Sequence, residues 1–187
     1  TRYVASEPLS KALRLGQGWE FEGKVIDASK GYHLADACVV GLPDGWVRIY
    51  ANEDTGATIM RRVVSFVSSD GLHFQREPGV RIENVYAFTP YVILLPDGRY
   101  RMYMTDQTKH VDTYGAIAIK SAISEDGLTF IMEPGDRLTY LGTGNEAGGI
   151  RHSNVIRLKD DTYRMYYKGF AHDGTEAVAT ILSATSP

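Results

Sequence analysis

The chain has 187 residues, 43% of them hydrophobic, with a formal net charge of -3. That composition is ample for a folded core, and the slightly acidic balance offers no cationic field for phosphate backbones, which argues against nucleic acid as a partner. No apolar run approaches the roughly 18 to 20 residues of a bilayer-crossing helix, so no membrane partner is expected.

In chain order, residues 6–15 read as a short helix, with Ser6 as N-cap, Pro8 in the first turn, Leu9 and Leu13 on one face and Gly16 as the stop. Residues 19–26, with Trp19, Phe21, Val25 and Ile26, read as a strand. The start at Thr1 carries no leader pattern and leaves the compartment open between secretion and cytoplasm.

From residue 33 onward the chain repeats itself. An apolar run, a turn and an aromatic-rich run recur around Pro43-Asp44-Gly45, Pro96-Asp97-Gly98 and Lys159-Asp160-Asp161. Each is followed by alternating residues ending in Tyr50, Tyr103 and Tyr166. Asp-Gly supplies the positive φ that tight hairpins need, and Val, Ile and Tyr suit a half-buried pleated surface. A second signature, Ser68-Ser69-Asp70-Gly71-Leu72-His73-Phe74, returns as Ser124-Glu125-Asp126-Gly127-Leu128-Thr129-Phe130. Both lead into Glu-Pro-Gly, at Glu77-Pro78-Gly79 and Glu133-Pro134-Gly135. The serine is placed to bond the turn backbone.

Three repeats of four antiparallel strands are expected, over about residues 33–78, 86–134 and 149–187. That is the composition of β-propeller blades, in an all-β fold of one domain. Ser186-Pro187 aligns with Ser124-Glu125, so the third copy reaches its last residue just before the expected Asp-Gly turn. Residues 19–26 are similar to 74–82, the segment after such a turn, and are expected to close a blade.

Cys38 lies in the apolar run Ala37-Cys38-Val39-Val40 and reads as a buried structural thiol. No zinc spacing, P-loop or nucleotide-binding glycine pattern is present, and no cofactor or metal is predicted.

The Ser-x-Asp-Gly-x-x-Phe turns resemble a shortened Asp box of sialidase-type propellers. With Ala35-Asp36-Ala37-Cys38-Val39 and the Pro-Asp-Gly-x-Tyr-x-Met-Tyr hairpin, the chain from Trp19 onward resembles the five-bladed glycoside hydrolases of the arabinanase, β-xylosidase and invertase kind. The resemblance implies a carbohydrate ligand in a central channel. It also implies three carboxylates, one from the inner strand of each of three blades. Seven residues before the three hairpin turns stand Asp36, Thr89 and His152. Asp36 matches the family's base or nucleophile, or else bonds a strand end; Thr89 and His152 depart from the pattern.

Hydrolysis needs a second carboxyl group as proton donor. Glu146, in the Gly-rich loop 142–149, is the candidate, or else a solvated loop residue, and His152 is a second candidate donor. His33, Tyr86, Thr89 and Arg151 complete a substrate-binding set suited to sugar hydroxyls and ring faces. The expectation is a carbohydrate-active protein that binds or hydrolyses a glycan at the channel. The alternatives are a non-catalytic glycan- or protein-binding propeller, or a shortened relative that needs further blades. Three blades leave strand edges open, which predicts a missing continuation or a homo-oligomer in which residues 19–24 complete the last blade.

Overall fold

The computed structural model describes residues 22–54, 61–85, 87–110, 116–172 and 177–186. The expected helix at 6–15 and residues 19–21 of the closing strand lie outside the described residues. Glu22 to Ile26, the rest of that segment, is not in a strand. Among the described residues there is no α-helix, and no helix long and apolar enough to cross a membrane.

The first unit is β1 (His33–Gly41), β2 (Val47–Asp54), β3 (Arg61–Ser68) and β4 (Gln75–Arg76), hydrogen-bonded in that order and antiparallel. β5 (Ile82–Val85) also pairs with β3 and leads the chain onward. The second unit is β6 (Ala87–Leu94), β7 (Tyr100–His110) and β8 (Ala116–Ser124), with the short β9 (Ile131–Met132) and β10 (Leu138–Thr139) both on β8. The third is β11 (Ile150–Arg157), β12 (Tyr163–His172) and β13 (Ala177–Ser186). A four-stranded first unit, and a second that adds β9 at the same place, make these propeller blades. The third has three strands among the described residues, with β13 at its edge.

The turn chemistry behaves as its residues dictate. In all three hairpins the aspartate after Pro43, Pro96 or Lys159 accepts the backbone N–H two residues on: Asp44 from Trp46, Asp97 from Arg99, Asp160 from Thr162. Gly45 and Gly98 take φ of 87° and 89°. Asp161 adopts 68° in the third hairpin, a conformation Asp tolerates better than most residues. In the Ser-x-Asp-Gly-x-x-Phe turn of the second blade, Asp126 Oδ1 accepts from the N–H groups of Leu128 and Thr129 at 2.7 and 2.8 Å. These bonds push its pKa down to about 2.

Two apolar clusters glue the blades. One joins Cys38, Val40, Tyr50 and Val63 of the first blade to Val92, Tyr100 and Met102 of the second. The other joins Tyr103 and Ile119 to Ile150, Val155, Met165 and Tyr167. Cys38 is buried, and its Sγ accepts the Val92 N–H at 3.2 Å, tying β1 to β6. Burial pushes the thiol pKa up, so it is an inert structural group. The inner strands β1, β6 and β11 pack in succession, β1 on β6 and β6 on β11.

Candidate functional site

Each inner strand carries one extra residue relative to its partner. The ladder slips between Ala35 and Cys38, between Phe88 and Tyr91, and between Arg151 and Asn154. These are β-bulges, and the first of the two unpaired residues in each is Asp36, Thr89 or His152. Their φ angles are 55°, 56° and 55°. Three non-glycine residues thus sit in the left-handed region at one register position. For the β-branched Thr89 this is a pronounced departure. Each such residue costs on the order of 1–3 kcal/mol and persists only where the surroundings hold it, most often at functional sites.

The bulges bring the three residues to one cavity. Asp36, Thr89 and His152 line a single open cavity of about 400 Å³, together with Tyr91, Ser153 and Asn154. Asp36 Oδ2 accepts from Asn52 Nδ2 at 2.9 Å and from Arg61 Nη1 at 3.4 Å. The same guanidinium reaches Asp54 through Nε at 3.1 Å. Thr89 Oγ1 lies 3.0 Å from Thr105 Oγ1, and that oxygen also accepts the His152 N–H at 3.3 Å. Thr105 is fully buried and so bridges two bulges.

His152 is exposed to the cavity, but the protein around it removes enough water to push its pKa below the usual value. The Asp36 carboxylate opposes that shift, while Lys168 and Arg151 add to it. One carboxylate, one imidazole and two cations therefore share one electrostatic neighbourhood. Ser153 is buried, and its Oγ has no hydrogen-bond partner among the described residues. A buried hydroxyl left unpaired in the wall of a cavity is what a polar ligand would satisfy.

Of the other candidates, Arg151 stands on β11 next to His152 and paired with Lys168. His33 opens β1, exposed and opposite Asp54, and is not among the cavity-lining residues. Tyr86 lies outside the described residues. Glu146 is not brought to the cavity. It is buried in a single 3-10 turn, Gly144–Glu146, where its carboxylate accepts the Leu141 N–H at 2.6 Å and the Tyr167 hydroxyl. Burial, and then that carboxylate, push the Tyr167 pKa up to about 12. Glu146 thus anchors the Gly-rich loop onto β12, and no solvated loop glutamate exists there.

Sequence reasoning did not find Asn52, Thr105 or Ser153. A signal for the first two was present: Asn52, Thr105 and Lys168 each follow Pro43, Pro96 and Lys159 by nine residues (52 − 43, 105 − 96, 168 − 159). That offset is the register position opposite the residue before each bulge. Among the described residues no cluster of three or more His, Cys, Asp or Glu could hold a metal ion.

No protein-family model matches the chain, and no curated protein does. Solved structures do. A protein of unknown function from Dyadobacter fermentans superposes with a TM-score of 0.64 at 14% identity, over 87% of this chain and 53% of that one. An endo-arabinase from Bacteroides thetaiotaomicron gives 0.58 at 15%, over 82% and 56%. A GH43 β-xylosidase/α-arabinofuranosidase from a compost microbial metagenome gives 0.55 at 19%, over 79% and 46%. The chain thus has the propeller fold found among glycoside hydrolases and spans about half the length of these structures.

Proposed function

We propose that this chain is part of a carbohydrate-active propeller whose ligand enters the cavity between Asp36, Thr89 and His152. The observation that carries this reading is that three left-handed bulge residues from three blades line one cavity. The unpaired Ser153 hydroxyl and the Tyr91 ring suit a sugar's hydroxyls and ring face. The likeness to glycoside-hydrolase structures points the same way.

In the hydrolytic version, Asp36 acts as base or nucleophile. As base it takes a proton from water, the water oxygen attacks the anomeric carbon, and the glycosidic C–O bond breaks. The departing oxygen takes its proton from the imidazolium of His152. Because burial holds the His152 pKa low, the donor form is populated at acidic pH, and turnover rises as pH falls. Thr89 and Arg151 position the substrate, and Arg61 and Asn52 hold the Asp36 carboxylate in place.

A non-catalytic glycan-binding site is the second reading. It is favoured by the cavity lining, in which Asp36 is the one carboxylate among the described residues. Asp36→Asn separates the two, since Asn also tolerates the left-handed conformation and keeps the fold. Aryl-glycoside hydrolysis abolished in this variant supports catalysis. Glycan binding that survives it, without turnover by the wild type, supports the second reading; neither activity nor binding across a broad glycan panel overturns both.

A further inference from the structure

Among the described residues, five buried side-chain atoms able to hydrogen-bond have no partner: Nε of Arg48, Arg81 and Arg101, Oδ1 of Asn52 and Oγ of Ser153. In the first four, another atom of the same polar group is engaged. Arg48 and Arg101 hold Glu77 and Glu133 through Nη2 at 2.8 and 2.9 Å, Arg81 Nη2 donates to the Pro78 carbonyl, and Asn52 Nδ2 donates to Asp36. Ser153 has a single polar side-chain atom, so at 2% exposure its side-chain polarity is wholly unmet. Of these five residues it is also the one that lines the channel cavity.

The repeat shows that the fold does not require this hydroxyl. Ser153 is the second unpaired residue of its bulge, and the same place is held by Ala37 in the first blade and Pro90 in the second. Neither of those side chains can hydrogen-bond, yet the residues before them adopt φ of 55° and 56°, against 55° before Ser153. Pro90 is buried as Ser153 is, so an apolar side chain serves the buried position. A hydroxyl buried without a partner costs free energy. One placed where the other blades carry alanine and proline, in the wall of a cavity, calls for a partner that arrives from outside the chain.

The surroundings define that partner. On the third blade the cavity wall is polar, with the exposed His152 and Asn154 flanking Ser153, whereas on the second blade it includes Pro90 and Tyr91. Hydroxyl, imidazole and amide on one wall, with proline and an aromatic ring on another, fit a ligand that has hydroxyls along one edge and C–H groups on one face. A sugar ring has that character.

We infer that Ser153 is a specificity-determining residue whose hydroxyl pairs with one hydroxyl of the bound sugar, while Pro90 and Tyr91 take the C–H face of the ring. This rests on the glycan reading of the cavity and adds a requirement to it. The site discriminates against the same sugar lacking that one hydroxyl, because Ser153 is then left buried and unpaired.

The probes are the methyl glycosides of glucose, galactose, mannose and xylose and their monodeoxy analogues, titrated by ligand-observed NMR into the full chain and into Ser153→Ala. For the tightest parent sugar, one deoxy analogue is expected to bind wild type about tenfold more weakly. Ser153→Ala is expected to bind the parent about tenfold more weakly and to bind that analogue equally well, which closes the cycle on this one contact. Its thermal midpoint is expected at or above that of wild type, since an unpaired hydroxyl has been removed. A lower midpoint shows that the hydroxyl serves the fold, through an ordered water for example, and overturns the inference. Equal affinity of wild type and variant for the parent sugar also overturns it, and leaves the glycan reading standing. Wild type that binds no sugar, in this set or across a broad glycan panel, removes the glycan reading and this inference with it. The deoxy series is read on the unaltered protein, so misfolding of the variant cannot mimic the result.

Discussion

The backbone N–H of His152 donates to the hydroxyl of Thr105 at 3.3 Å, across the seam between the second and third blades. The same oxygen lies 3.0 Å from Thr89 Oγ1, so one buried hydroxyl steadies two of the three strained bulges. Thr105→Val keeps the shape and removes that oxygen. A loss of about 1–3 kcal/mol is expected, read from the urea midpoint, with Thr105→Ser near wild type. Equal midpoints for the Val and Ser variants would show that the bulges do not depend on it.

The depressed pKa of His152 makes stability depend on pH. Its folded value lies below its unfolded one, near 6.5. The unfolded chain therefore binds the proton more readily, and this contribution is fully present above about pH 6.5 and lost as pH falls through the folded value. In His152→Asn, the fall in thermal midpoint on acidification through that window should be shallower than in wild type. An unchanged slope would remove the imidazole from the account.

Arg48 and Glu77 form a largely buried pair, whereas Arg101 and Glu133 are more open to water. Glu77→Ala strands a buried guanidinium and should cost about 3 kcal/mol. Glu133→Ala, with solvent able to reach Arg101, should cost clearly less. Chemical denaturation of the two variants side by side checks the order.

Gly127 and Gly71 occupy equivalent turns but not equivalent space. A Cβ on Gly127 would meet Arg48 Nη1 and lie 2.9 Å from the Tyr50 hydroxyl, while one on Gly71 would meet nothing within 4 Å. Both positions have positive φ, so Gly71→Ala should cost about 1–2 kcal/mol for the left-handed conformation alone. Gly127→Ala should cost more, because it also opens the seam between the first two blades. Matching thermal midpoints for the two variants would contradict that packing.

The repeat was legible in the sequence because hairpin formation is local. Asp-Gly turns, the Ser-x-Asp-Gly-x-x-Phe loops and period-two apolar runs act over a few residues, so their spacing already marked propeller blades and the inner-strand positions Asp36, Thr89 and His152. Which other side chains reach the cavity was not legible. Glu146 sits in a Gly-rich loop that looked open, yet the Tyr167 hydroxyl and the Leu141 N–H draw it into the protein. Asn52 and Thr105 matter because a bulge on one strand aims a side chain at the neighbouring strand, a relation between residues that strand pairing alone creates. The sequence by itself determined the blades and their turns. The tertiary structure decided the site, because three bulges must first be packed around one axis before an aspartate, a threonine and a histidine from separate blades can share a cavity.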